Sequence, residues 1–554
     1  MRCSRTVRPA VLFIALLGCS GAAPAPIRPP ATPPPPPPPD AAIDAPPPLA
    51  LRGQACDPQH SCDPDLTCAD LPGGYCTSAC GLAVPGGVCP DGVCVATARS
   101  GEQCLKGCTS DADCRAAEGY LCDQQWAACM IPNSAVIVPR QCPAPRGLSH
   151  DKAFAPAVAL SSVDTPGLHQ LEPAAVMTSL GELIVLFGSQ RGVADPGQLG
   201  SALVGPRGVR TTRFPVDAGD RAQVRLARDA KGILYAVWLE VEGRHRQISI
   251  ARSRDGGITW TGPDPVDAAD CADRDRDCLD RPMIAVGSAS PSTGLDLIHV
   301  MYAAGGGLRI ATSHDEGNTF HTAITALVAH HGNAAVGADG RVHIVAIDPG
   351  SSVPGFGSAD HRIVYAVSTT NGTAFGKAQK LSGRDEMLPF YGSNPSIALD
   401  GKRGFIYAAY VRGGRDAVWD LVILASKDKG VTWKRTRIGD DPPTCAIHMV
   451  PNLAVDPTTG TLHVAWYDNR GPARFAHATC TPGAVKCTQQ GAINALPFAA
   501  LSTERDAPRA VGESAALVVD DRRRTLHAVW TQPVDEGGKV VSRIFHASAT
   551  LPNK

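Results

Sequence analysis

Arg191, Glu240, Arg412, His448, Asp468 and Arg470 stand where short apolar runs end or begin. Arginine grips a carboxylate or sulfate through paired N–H bonds, and neighbouring carboxylates accept from hydroxyls. Gathered on one face, these residues would hold an anionic or polyhydroxyl ligand. Glu172, Asp280, Arg281, Asn333, Asn394 and Glu513 precede other apolar runs and belong to the same candidate face.

Cysteine is the second chemical resource. Thirteen of the 20 cysteines fall in the 87 residues from Cys56 to Cys142. The spacings Cys76-x3-Cys80 and Cys104-x3-Cys108 could suit zinc, but in an exported protein such thiols oxidise, so a disulfide framework is expected. Cys271 is expected to pair with Cys278 and Cys480 with Cys487, and a bridge from Cys142 to Cys445 would balance the count. Asp273, Asp275 and Asp277 alternate like calcium ligands, yet two arginines interleave and no glycine follows. No metal and no cofactor are expected.

The N-terminus carries Arg2, Arg5 and Arg8, then an apolar run from residue 10 to 17, which is a signal peptide too short to span a membrane. Leu16-Leu17-Gly18-Cys19 resembles the lipobox of bacterial lipoproteins. That resemblance implies cleavage before Cys19, acylation of Cys19 and, with Ser20 following, sorting to an outer membrane, on its periplasmic or outer surface. Fourteen prolines between Pro24 and Pro48 favour an extended polyproline spacer over an SH3-type ligand. With 52 basic and 53 acidic residues, the chain offers no whole-molecule attraction for nucleic acid.

The elements that must position the candidate face are repeated strands. Apolar runs at 183–187, 234–238, 297–302, 342–346, 406–410, 462–466 and 526–530 recur, each followed by a further strand and a polar turn. One such unit cannot bury both faces alone, so the repeat predicts an all-β, seven-bladed β-propeller, with six blades as the alternative. The chain end around 543–548 reads as a third strand, so residues near 152–163 are expected to supply the missing outer strand and close the ring. The expected division is 1–19 signal peptide, 20–55 proline-rich linker, 56–147 small disulfide-rich domain and 148–554 propeller.

Three turns share one motif: Ser253-Arg-Asp255-Gly-Gly257-Ile-Thr-Trp260, Ser313-His-Asp315-Glu-Gly317-Asn-Thr-Phe320 and Ser426-Lys-Asp428-Lys-Gly430-Val-Thr-Trp433. Ser368-Thr-Thr-Asn-Gly372 is a degraded fourth. The aspartate caps turn amides, glycine supplies positive φ, and the aromatic returns between blades. This is similar to the Asp-box (BNR repeat) of sialidase-like propellers, which implies that the boxes are structural and lie opposite the working face. The cysteine-rich stretch resembles EGF-like or dickkopf-like repeats.

The sialidase resemblance further implies an arginine entering the first blade and a late Tyr–Glu nucleophile pair. Here Leu171 stands in the arginine's place, and Tyr467 is the last tyrosine. If catalysis exists, Tyr391 and Glu386 are its candidates. The expectation is an exported, membrane-anchored protein that binds a glycan or protein ligand without turnover; the alternative is a sialidase-type exo-glycosidase.

Overall fold

The computed structural model describes residues 49–57, 60–69, 73–80, 92–97, 101–123, 128–130, 148–160, 168–190, 197–214, 220–271, 278–288, 296–305, 307–324, 327, 329, 331–348, 362–383, 386, 394–413, 419–438, 448–468, 473–484, 486–495, 511–537 and 539–553. Cys19, Cys142, Arg191, Tyr391, Cys445 and Arg470 lie outside them.

The described residues form seven antiparallel four-stranded sheets, each a blade. The innermost strands are His169–Met177, Asp220–Arg228, Asp280–Ser288, His331–Val336, Ser396–Asp400, His448–Val455 and Ala516–Asp520. The second strands are Leu183–Gln190, Leu234–Glu242, Asp296–Ala304, Val342–Asp348, Phe405–Gly413, Leu462–Asp468 and Thr525–Glu536. All seven expected apolar runs are second strands, so the count is seven and not six.

Both faces of a second strand are apolar because both are covered, one by each neighbouring blade. Ile406, Ala408 and Tyr410 join the cluster with Val345 and Ile363 of blade 4, while Tyr407, Ala409 and Val411 join the cluster with Trp466 of blade 6. Trp238, Trp466 and Trp530 are completely buried in these seams. The core is therefore a ring of wedges between blades.

The ring closes through the N-terminal side of the domain. Val158–Ala159 forms the outer strand of blade 7, Val158 opposite His546 and Ala159 opposite Phe545. Leu160 N donates to Ile544 O and Ala155 N to Ser548 O, both at 2.8 Å. A ring closed by mixing its two chain ends cannot open without losing both.

In the cysteine-rich region, Cys56–Cys68 interlocks with Cys62–Cys76, and Cys108–Cys122 with Cys114–Cys129. Each set joins first to third and second to fourth cysteine. The sulfurs are consumed in these bonds and are not free metal ligands. The Arg115 guanidinium lies 4.5 Å from the Tyr120 ring centre and 5.3 Å from that of Tyr75, tying the two sets through cation–π contacts. Ala50 N and Gly53 N donate to Ser61 O and Cys76 O, so residues before Cys56 also pair into this region.

Candidate functional site

A four-stranded antiparallel blade has two ends. Turns between strands one and two, and between three and four, share one end; the remaining loops share the other. The Asp-boxes occupy the first end. Ser253 Oγ accepts from Gly257 N and donates to Asp255 Oδ1, both at 2.8 Å, and Asp255 Oδ1 also accepts from Thr259 N at 2.9 Å. Blades 3 and 5 repeat these bonds through Ser313 and Asp315, and Ser426 and Asp428. The Thr432 hydroxyl and amide hold the Asp428 carboxyl down at about 2. In blade 4 the Thr370 hydroxyl replaces the aspartate, accepting from Ala374 N at 3.0 Å. Gly257, Gly317 and Gly430 have φ of 92°, 85° and 90°, where a side chain is strained.

The same end holds a second aspartate series that the sequence reading did not single out. Asp229, Asp400, Asp456 and Asp520 open the inner turns of blades 2, 5, 6 and 7, and each is at most 5% exposed. Asp229 accepts from Ile233 N at 2.7 Å and Tyr235 Oη at 3.0 Å. Arg524 clamps Asp456 with two bonds of 2.7 and 2.6 Å. The signal was an aspartate five or six residues before the second strand in these four blades. In blade 6, where a box is missing, the Cys480–Cys487 disulfide closes the outer hairpin.

At the opposite end, the innermost strands of blades 1, 2, 3 and 6 each carry a bulge. Its left-handed residue is Glu172, Gln223, Arg281 or Val450, with φ between 52° and 60°. Non-glycine residues hold this conformation only where the surroundings enforce it. Gln223 Oε1 accepts the Arg281 amide at 2.9 Å. The Arg281 guanidinium passes to Glu513, before blade 7, through Nη2–Oε1 and Nε–Oε2 contacts of 3.2 and 3.3 Å. Asn394 Nδ2 donates to Glu513 O. Arg281 and Glu513 thus join non-adjacent blades across the mouth of the axial channel. Below them a cavity of about 240 Å³ is lined from all seven inner strands, with Arg225, Asn333, Asn452 and Ser514 among its polar residues.

Four of the six residues of the expected site are among the described residues, and each has its own partners. Glu240 accepts the Trp238 indole N–H at 2.9 Å, so its first role is to satisfy a buried donor of its own strand. Arg412 lies in the blade 4–5 seam, where its Nε donates to Asp420 Oδ2 at 3.1 Å and its Nη1 is 3.7 Å from Glu386 Oε1. His448 and Asp468 pair at 3.4 Å, both essentially buried. Arg191 and Arg470 lie outside the described residues. The described members therefore occupy three separate places, whereas Arg281 and Glu513, with Asn394 beside them, form contacts that cross the ring.

Glu386 was paired with Tyr391 in the sequence, and Tyr391 is outside the described residues. The partner that the structure gives Glu386 is Tyr410, whose hydroxyl donates to Oε2 at 2.9 Å. Arg435 also bonds Glu386 Oε1, and Arg437 stands 3.8 Å from Asp420. Burial pushes the Tyr410 phenol far above its ordinary range, and the carboxylate beside it adds to this. Tyr410 is completely buried and Glu386 is 4% exposed, so neither group faces solvent as a nucleophile would. Sequence reading missed this pair because an aromatic ending an apolar strand reads as core.

No protein-family model matches the chain, and no curated protein is similar to it. Solved structures are. A protein of unknown function from Dyadobacter fermentans DSM 18053 aligns with a TM-score of 0.42 at 12% identity, over 72% of this chain and 99% of its own. A leech intramolecular trans-sialidase complexed with 2,7-anhydro-Neu5Ac gives 0.41 at 9%, over 64% and 73%. A GH93 α-L-arabinofuranosidase of Fusarium graminearum with arabinobiose gives 0.39 at 12%, over 71% and 98%. At such values these likenesses carry no argument about activity.

Proposed function

We propose that this chain is an exported envelope protein, anchored through an acylated Cys19, whose propeller captures a glycan or protein ligand at the channel-mouth end and releases it unchanged. The observation that carries this reading is the mutual engagement of the acidic groups there. Glu513 is bound by Arg281, and Glu386 by Tyr410, Arg412 and Arg435. Glycoside hydrolysis needs one carboxyl that donates a proton and a second group that attacks from the opposite face. Carboxylates already ion-paired and buried suit neither task, whereas arginines fixed by them are preorganised for an anionic group at the rim.

A second reading, a sialidase-type exo-glycosidase, is favoured by one observation, the 2.9 Å Tyr410–Glu386 contact beside two arginines. Residues 49–554 form one compact unit with the closing strand inside it, so this fragment serves for the test. It should retain acidic glycans on an array and leave a fluorogenic sialoside intact. Hydrolysis that Tyr410→Phe abolishes would replace binding with catalysis.

A further inference from the structure

We propose that the Asp-box end of the propeller docks on an anionic lipid headgroup surface, with Leu180, Ile258 and Val431 entering the interfacial region. Among the described residues of the propeller, the exposed large apolar side chains are Leu180 at 62%, Ile258 at 54%, Val431 at 70% and, on the outer edge, Val158 at 45%. The first three all sit at turns of the Asp-box end. Leu180 lies in the inner turn of blade 1, and Ile258 and Val431 each follow the box glycine. The box needs no aliphatic residue there: the same position is Asn318 in blade 3 and Thr373 in blade 4.

The charge around these tips points the same way. Lys231, Arg254, Lys402, Lys427, Lys429 and Arg522 are exposed on turns of the same end. The inner-turn aspartates Asp229, Asp400, Asp456 and Asp520 are buried against their own turns, so the basic groups are the more exposed charges there. Asp255, Asp315 and Asp428 keep their charge but direct it at box amides. Glu316 binds Lys231 and Arg254, while Asp339 and Asp521 also remain on this end.

The three apolar tips belong to blades 1, 2 and 5 and are single side chains. A protein interface needs a contiguous, well-packed apolar centre, which these do not make. A bilayer interface accepts isolated apolar side chains flanked by Lys and Arg, and a plane can meet turns on both sides of a ring. Docking this end would turn the channel mouth away from the membrane. The proposal does not depend on acylation of Cys19 or on the ligand reading, because its test uses the chain from Leu49 on.

That fragment should sediment with phosphatidylglycerol-containing vesicles, weakly or not at all with phosphatidylcholine vesicles, and less as salt rises. One basic residue near an anionic surface contributes about fivefold in partitioning. Lys402→Glu, Lys427→Glu and Lys429→Glu together should therefore weaken binding at least tenfold. Leu180→Ser, Ile258→Ser and Val431→Ser together should also weaken it without altering the thermal midpoint, since these side chains touch no core. No binding to anionic vesicles, or binding indifferent to both triple variants, would overturn the proposal. So would an apolar triple variant that instead dissolves a dimer seen in sedimentation, which would make this end a protein interface.

Discussion

The Trp238 indole N–H donates to the Glu240 carboxylate at 2.9 Å, two positions further along the same strand. Blade 7 repeats the device with Trp530 and Gln532 at 3.2 Å. In blade 6 the corresponding residue is Asp468, one methylene shorter, which lies 3.4 Å from His448 instead. Trp466 Nε1 is left buried without a hydrogen-bond partner. A residue type that reads as a ligand group at a strand end is thus, in two blades, the acceptor for a core indole.

It follows that Glu240→Ala should lower stability more than it lowers ligand capture. An orphaned buried donor costs about 1–3 kcal/mol, whereas glutamine, as blade 7 demonstrates, keeps an acceptor in place. Urea unfolding of the 49–554 fragment should show Ala destabilised and Gln near the parent. Equal stability for all three would remove the capping role.

The Asp-box turns predict a second stability effect. Ser253 is 1% exposed and bonds both Gly257 N and Asp255, so Ser253→Ala should cost about 1–2 kcal/mol. Gly430→Ala should cost more, at least about 2 kcal/mol, because it combines a φ of 90° with a methyl driven into the Tyr365 ring. Thermal denaturation midpoints rank the two, and a harmless Gly430→Ala would contradict the turn geometry.

What could be read before the structure was whatever obeys a local rule. Alternation and flanking turns mark the seven second strands, and an incomplete final blade announces its own closing partner near Val158. The Asp-box is legible because Ser, Asp and Gly act within five residues of each other. The site was not. A strand end tells which end of the ring a side chain occupies but not which seam it enters, so Glu240, Arg412 and Asp468 read as one rim while lying in three places. The inner-strand bulges at Glu172, Gln223, Arg281 and Val450 arise where seven strands crowd around one axis, and no residue pattern announces them. The Arg281–Glu513 pair, 232 positions apart, needs the closed ring to exist.

Buried histidines should make the ring acid-labile. Burial lowers His299, His343 and His527 to about 4 and His463 and His546 to about 3, from an ordinary value near 6.5. His463 contacts His477 at 3.2 Å, which contacts Asp151 at 3.0 Å, and His527 contacts His546 at 3.0 Å. Between pH 6.5 and about 4 the unfolded chain binds protons that the folded chain refuses, so unfolding becomes easier as pH falls through this window. Above pH 6.5 the contribution is fully present and flat. Denaturation midpoints from pH 7.5 to 4 should fall steeply below 6.5, and His463→Gln should shallow the slope. A flat profile would show that these rings accept protons while folded.

Anchoring is tested by the acylated position itself. Cys19→Ala should move the full chain from the membrane to the soluble fraction of its host, because one residue would carry all the covalent lipid. The signal remains uncleaved in that variant if processing requires the cysteine, so mass spectrometry of the mature N-terminus is the paired measurement. An acyl-free N-terminus on the parent protein would end the lipoprotein reading whatever the fractionation shows.

Arg281 and Glu513 have side chains only 18% and 9% exposed, so each is poorly solvated without the other. Removing Glu513 leaves the Arg281 guanidinium with Asp280 Oδ2 at 3.1 Å, and removing Arg281 takes two bonds from Glu513. Losing one member of a poorly solvated pair is more damaging than losing both. Arg281→Ala and Glu513→Ala should each destabilise the ring, and the double variant should recover part of the loss, with a coupling of about 1–3 kcal/mol. Because Arg281 also holds a left-handed backbone, Arg281→Gly should cost less than Arg281→Ala, separating backbone strain from the ion pair. If the mouth is where ligand enters, either single variant should also change capture on a glycan array, with Glu513→Ala removing one carboxylate that competes for Arg281 and strengthening retention of an acidic glycan. Additive stability losses together with unchanged retention would reduce Arg281 and Glu513 to two independent surface charges.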